Sequence, residues 1–399
     1  MGLRGRWALV FICICLSFGS FADEAAQVTF ALRLADHTSS VSMLLAAGLI
    51  GGILSGPIAP VILERSGPRQ TIPAIFVLQS LLIAIASLAN QFWGYVAVSM
   101  ALGSTGSLLW AAIMVAIPTY ARDERYIDRI NRITQSMRNM GYVGGPALGG
   151  LLYGMAERSR GLLLLALLVL VAAPVTALCF NALDSFVQKS GQLPKQDKQK
   201  GRLDLPGLFR TAGVTRAVAP LWVTVVLTST LNVLLIFRIR TDLQFSAEIY
   251  GLVVSALSVG LIVGPVACSG VLARFGDAAG ASIAAGVIGF GILWLALSDT
   301  AWIIMCATFV IGLANGIQNA LTSSFMMKAI PPKQRVNLMP AYIFCIQTSV
   351  FLGFMSAGMI STAHVSMALV AVGVATAITG ACGFALNVRN RPGMMTKGA

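Results

Sequence analysis

The chain has 399 residues, 57% of them hydrophobic and 11% charged, with a formal net charge of +13. Soluble domains carry about 25% charged residues, so a water-exposed globule is excluded. Apolar runs of roughly 20 residues, each enough to cross a hydrocarbon core of about 30 Å, recur from end to end. The alternating segments of a membrane β-barrel are missing. The expected fold is an all-α membrane protein of twelve transmembrane helices.

The first span is expected over 7–32. Arg4, Arg6, an apolar stretch and Ser20-Phe21-Ala22 also imitate a secretory signal; cleavage there would leave eleven spans. This span carries the two acids that lie well inside an apolar run, Asp23 and Glu24. Taking the span from Arg6 to Arg33 puts its midpoint near Ser20, so at about 1.5 Å per residue Asp23 lies about 5 Å outward from the centre. Ser20, Asp23, Glu24 and Gln27 follow i, i+3, i+4, i+7 spacing and form one polar stripe.

The second and third spans, 42–63 and 71–88, flank the turn Glu64-Arg65-Ser66-Gly67-Pro68-Arg69. The fourth, 92–117, offers Ser99, Gly103 and Ser107, with Trp110 just after. Asn131, Gln135, Arg138 and Tyr142 share a face at the start of the fifth, 133–155, followed by Gly144-Gly145-Pro146-Ala147-Leu148-Gly149-Gly150. After the sixth span, 161–180, comes the longest polar stretch. It divides the chain into an N-terminal half (1–183), a solvated linker (184–216) and a C-terminal half (217–399). The seventh span, 217–237, spaces Thr224, Thr228 and Asn232 by four. The eighth, 249–273, ends in Ala273-Arg274-Phe275-Gly276. The ninth is expected over 282–297. The tenth, 302–322, carries the stripe Asn315, Gln318, Asn319 and Thr322. The last two are expected over 339–360 and 366–384.

Lys and Arg are unequal on alternate sides of these spans, 23 against 5. That is the positive-inside pattern, with both termini cytoplasmic. The basic charge therefore reports topology and requires no nucleic acid. Cys13, Cys15, Cys179, Cys268, Cys306, Cys345 and Cys382 lie in apolar runs without metal-ligand spacing, and the histidines are His37 and His364 alone. Neither a metal site nor a cofactor is expected. No catalytic constellation or ATP-binding phosphate loop supports a membrane enzyme or a primary pump.

Arg-x-Gly recurs at Arg65-Gly67 and Arg274-Gly276, 209 residues apart and each after a Gly-Pro pair. The first copy, Pro60-x-x-x-Glu64-Arg65-x-Gly67-x-Arg69, resembles the loop motif Gly-x-x-x-Asp-Arg-x-Gly-x-Arg of the major facilitator superfamily, with Pro60 for Gly and Glu64 for Asp. The second has Ala273 at the acid position. The glycine-rich stretch Gly145, Pro146, Gly149, Gly150 is similar to the motif of that family's antiporters, and the run 121–139 before it resembles the macrolide-efflux and siderophore-exporter branch. The resemblance implies two pseudo-symmetric six-helix halves in a bacterial inner membrane. It also implies a conformational latch at Glu64, Arg65, Gly67, Arg69 and Arg274, and a cavity lined by the first, fourth, seventh and tenth helices.

On that reading Asp23 and Glu24 carry protons, with Arg138 either as counter-charge or reaching to the headgroups. The alternative for the acids is a pair that fixes helix packing. A carboxyl in low dielectric disfavours its charged form and exchanges protons nearer neutral pH. Ser20, Gln27, Trp110, Gln135, Thr228, Asn232, Asn315, Gln318 and Asn319 would meet a small organic substrate. The expected activity is proton-coupled export of a drug, antibiotic or siderophore by a monomer in the lipid bilayer. Proton-coupled uptake of a nutrient is the alternative.

Overall fold

The computed structural model describes residues 3–33, 38–89, 91–121, 123–154, 158–189, 200–361 and 364–388. His37, Arg122, linker residues 190–199 and the basic tail 389–399 lie outside the described residues. Among the described residues twelve long helices follow one another: α1 (Leu3–Arg33), α2 (38–66), α3 (68–88), α4 (Phe92–Tyr120), α5 (Glu124–Gly154), α6 (Arg158–Lys189), α7 (Val214–Phe237), α8 (Ala247–Ala267), α9 (Asp277–Ala296), α10 (Ala301–Ala329), α11 (Arg335–Gly358) and α12 (Val365–Val388). Nine described stretches qualify as membrane spans by length and hydropathy, and one of them, Met43–Leu88, holds both α2 and α3. Helices α1 and α5 complete the twelve; each is long enough, but each carries charge along its length.

The helices overrun the sequence-based spans because helix continues past the apolar core into charged flanks. The fifth begins at Glu124 rather than 133, and the tenth runs on to Ala329. The eighth is shorter than expected. It ends at Ala267, two residues beyond Pro265, and the chain then makes the four-residue helix Ser269–Leu272. Proline withholds a backbone donor and crowds the preceding turn, which explains the early break.

The chain forms two compact units, Met1–Leu208 with Ile330–Gln347, and Phe209–Ala329 with Thr348–Ala399. In the first unit α1 packs on α5 and α6, and the α2–α3 stretch packs on α4 and α6. In the second, α9 packs on α10 and α12, and α8 on α10. Of the stretch read as a solvated linker, residues 184–189 continue α6, and the part from Lys200 is tied to α2. Gly201 N donates to Glu64 Oε2 at 2.5 Å, and the short helix Leu205–Arg210 buries Leu208.

The duplication is legible in backbone contacts. A Cβ on Gly51 would collide with the Met100 carbonyl, and one on Gly103 with the Gly48 carbonyl. In the second unit a Cβ on Gly260 would collide with the Phe309 carbonyl, and one on Gly312 with that of Leu257. Each of these four positions in the second unit is offset by 209 residues from its counterpart in the first. The Arg-x-Gly turns obey the same offset. Gly67 (φ 61°, ψ 169°) and Gly276 (φ 87°, ψ 148°) share a left-handed conformation that side chains resist.

Candidate substrate and proton site

The acid-bearing segment of α1 is gripped by a glycine face of α5. Arg138, Gly141, Gly145 and Gly149 recur at steps of three or four and so lie on one side of α5. A Cβ at Gly141 would collide with Ser20, and one at Gly145 with the Glu24 side chain. At Gly149 it would sit 2.6 Å from the Ala25 carbonyl. Small residues every fourth position let helix backbones approach in a membrane, and Gly141 extends the motif one turn before the glycines singled out in the sequence. Gly150 points elsewhere, with nothing within 4 Å of its added Cβ. Pro146 lies in the same helix.

Asp23 points the other way, toward α3 and α4. Gln79 Nε2 donates to Asp23 Oδ1 and Oδ2 at 3.2 and 3.3 Å. Gly106 of α4 leaves room for the carboxyl, since a Cβ there would lie 2.8 Å from Oδ2. Glu24 faces α5, where Arg138 acts on it as the opposing charge. The adjacent carboxyls act on each other as like charges. Both acids are half-buried, and their carboxyls have separate partners on separate helices.

Arg138 is framed by aromatic rings. Its guanidinium carbon lies 4.5 Å from the centre of the Trp110 ring and 5.3 Å from that of Tyr142, within reach of a cation–π attraction. It also donates to the Tyr142 hydroxyl at 2.9 Å. This places Arg138 toward α4 and Glu24. The remaining polar residues of this unit extend the site: Ser99 Oγ lies 2.8 Å from Gln27 Oε1 and 2.9 Å from the Leu44 carbonyl. Ser20 is half-buried and Gln135 is buried. Gln347 of α11 donates to Ser107 Oγ at 2.9 Å.

In the second unit Asn319 Nδ2 donates to Asn315 Oδ1 at 2.9 Å, and Gln318 and Thr322 are buried. Thr228 is satisfied by its own helix, with Oγ1 2.9 Å from the Thr224 carbonyl. Asn232 is exposed and joins none of these pairs.

The latch residues divide. Glu64 bonds Gly201 N, while Arg69 pairs with Asp184 on α6 at 2.6 Å and donates to Asn181 Oδ1 at 2.6 Å. Tyr120 donates to the same Asp184 at 3.0 Å. Arg65 and Arg274 are both exposed. In the second turn, where Ala273 replaces the acid, Asp277 pairs with Lys328 of α10 at 2.6 Å. Asp184, Asp277 and Lys328 sit at helix ends among other charges, and the sequence offers no signal that selects them. Gln79, followed by Ser80, interrupts an apolar run, where its polarity was the available sign.

The second unit also holds a buried arginine clamp. After α7 the chain makes a π-helical turn, Arg238–Asp242. Arg238 reaches Asp299 Oδ1 at 2.7 Å, Ser366 Oγ at 2.9 Å, the Ala296 and Ser298 carbonyls at 3.1 Å, and Asp242 Oδ2 at 3.7 Å.

The Major Facilitator Superfamily profile matches residues 9–354. No curated protein sequence matches. Among solved structures, the human organic anion transporter MFSD10 (TETRAN) superposes with a TM-score of 0.72 at 15% identity, covering 97% of this chain and 100% of that one. A bacterial homologue of the iron transporter ferroportin, outward-facing, gives 0.74 at 14% identity, covering 96% and 99%. The E. coli fucose:proton symporter FucP gives 0.68 at 13% identity, covering 95% and 97%. At these identities the likeness is one of fold.

Proposed function

The chain belongs to the major facilitator superfamily, and we propose that it is a proton-coupled antiporter exporting a small organic molecule by alternating access. The observation that carries this reading is the acid pair of α1: Asp23 held by Gln79, Glu24 opposed by Arg138, both inside a membrane-spanning helix. Charge at that depth is costly and is retained where it moves ions or substrate. Asp23 and Glu24 are the proton carriers, and Arg138 is the counter-charge that Glu24 gains or loses as it exchanges its proton.

Export is favoured by the glycine face of α5, whose Gly145, Pro146, Gly149 and Gly150 resemble the family's antiporter motif. It presses on α1 at Ser20, Glu24 and Ala25, so a change in the charge of Glu24 is felt directly where the two helices touch. The amide stripe Asn315, Gln318, Asn319 suits hydroxyls and carbonyls, and Trp110 suits an amphiphilic body. A drug, antibiotic or siderophore has this chemistry. The Glu64, Arg65, Gly67, Arg69 turn and Arg274 form the latch of one conformation. The protein works as a monomer in a bacterial inner membrane, with both termini cytoplasmic.

Uptake is the second reading, since the fucose:proton symporter has the same fold. Deletion and overexpression strains, compared for sensitivity to a drug panel and for extracellular metabolites, separate the two. Export requires overexpression to lower cellular accumulation of the responding compound; raised accumulation establishes uptake instead.

A further inference from the structure

Gln79 is fully buried, with 0% of its surface exposed, and only half of its amide is used. Nε2 serves both oxygens of Asp23. Oε1 has no hydrogen-bond partner among the described residues. Its neighbourhood is apolar: a Cβ on Gly19 of α1 would lie 3.6 Å from Oε1, with the Phe76 and Leu109 side chains 3.1 and 3.2 Å from the same point. A buried acceptor left unpaired costs about 1–3 kcal/mol. The cost is explained if the acceptor is used in another state of the same site.

Asp23 supplies such a state. A carboxylate only accepts hydrogen bonds, whereas a protonated carboxyl also carries one O–H donor. A carboxamide is nearly the same shape after a half-turn about its terminal torsion, and that torsion is broad and roughly two-fold. We propose that Gln79 is the positioning residue that bonds Asp23 in both protonation states, donating through Nε2 to the carboxylate and accepting through Oε1 from the carboxylic O–H. The proton lands on an Asp23 oxygen; no covalent bond to Gln79 forms or breaks. The amide turns once on protonation and once on release, so the proton's arrival on α1 is registered by α3, whose first residue follows the Gly67 turn.

The charged groups around Asp23 are few. Glu24 shares its helix and Arg138 faces from α5. Helices α2 and α4 bring no charged side chain between residues 38 and 63 or 92 and 120, and α6 brings none between Arg160 and Asp184. From α3 the nearest charge in sequence is Arg69, ten residues from Gln79. On the side of Asp23 that faces α3 and α4, an amide therefore sets its hydrogen bonding with no ion nearer in those helices than Arg69.

This inference rests on Asp23 being the proton carrier, and infrared difference spectroscopy tests the two separately. The full-length protein is reconstituted in lipid vesicles and titrated in pH without added substrate. A carboxyl band that grows on acidification and is absent in Asp23→Ala is expected. With the same midpoint, one side-chain amide carbonyl band should move to lower frequency, as an accepting carbonyl does, and this shift should be lost in both Gln79→Met and Asp23→Ala. Should Gln79→Met fail to fold, a glutamine-specific carbon-13 label assigns the band to glutamine in the unsubstituted protein, and its loss of shift in Asp23→Ala ties it to Gln79, the glutamine bonded to Asp23. A titrating Asp23 band with an unmoved amide overturns the proposal and leaves Asp23 as carrier. Absence of any Asp23-dependent carboxyl band overturns both.

Discussion

Replacing single glycines of α5 by alanine separates helix contact from helix composition. Gly145→Ala places a methyl against the Glu24 side chain, 3.1 Å from the Phe21 carbonyl and 3.3 Å from Ala25 N. Neither backbone atom can step aside without moving α1. Gly149→Ala meets the Ala25 carbonyl at 2.6 Å and Val28 at 3.0 Å. Overpacking of this kind costs about 1–3 kcal/mol. Gly150→Ala, in open space one residue on, gains helix propensity instead, worth up to about 1 kcal/mol. Thermal unfolding of the three purified variants in one detergent is the assay. Gly145→Ala and Gly149→Ala should unfold below the parent protein, and Gly150→Ala at or above it. Equal stability of Gly145→Ala and Gly150→Ala would refute the reasoning that the motif exists to bring α5 onto the acids.

Arg238→Met should destabilise the second unit strongly, by about 1–3 kcal/mol for each buried acceptor left unpaired. Asp299→Asn should change little, because that side chain is 78% exposed; thermal unfolding reads both. Arg69→Ala should cost no more than about 1 kcal/mol, since Arg69 is 53% exposed and Tyr120 still holds Asp184. A reporter fused after Ala399 should be active only as a cytoplasmic reporter; a periplasmic signal contradicts the assigned topology.

The fold was legible because membrane spans announce themselves by length and apolarity, and because the Arg-x-Gly turn repeats at the offset that the packed glycines also keep. Charge blurred the count at α1 and α5, where Asp23, Glu24 and the arginines of the fifth helix interrupt the apolar signal. The acid pair stood out since charge in a span is rare. Arg138 was legible as a counter-charge, but Gln79 was not: it reaches Asp23 across 56 positions, and nothing in a linear pattern joins the two. The turn motif named Glu64 and Arg69 but not whom they meet. Those partners, Gly201 and Asp184, depend on where the linker and α6 come to rest. Asn232 shares a helical face with Thr228, yet stays exposed, because periodicity places a residue on a face without saying what covers that face.

The central claim is that Asp23 and Glu24 couple proton movement to export, and proton release from energised inverted membrane vesicles tests it most directly. Vesicles holding the protein are acidified internally, a pH-sensitive dye reports the gradient, and the compounds of a drug panel are added one at a time. At least one compound should dissipate the gradient with the parent protein and fail to do so with Asp23→Asn/Glu24→Gln present in equal, folded amount. Undiminished proton release by the double variant with the same compound would contradict the account.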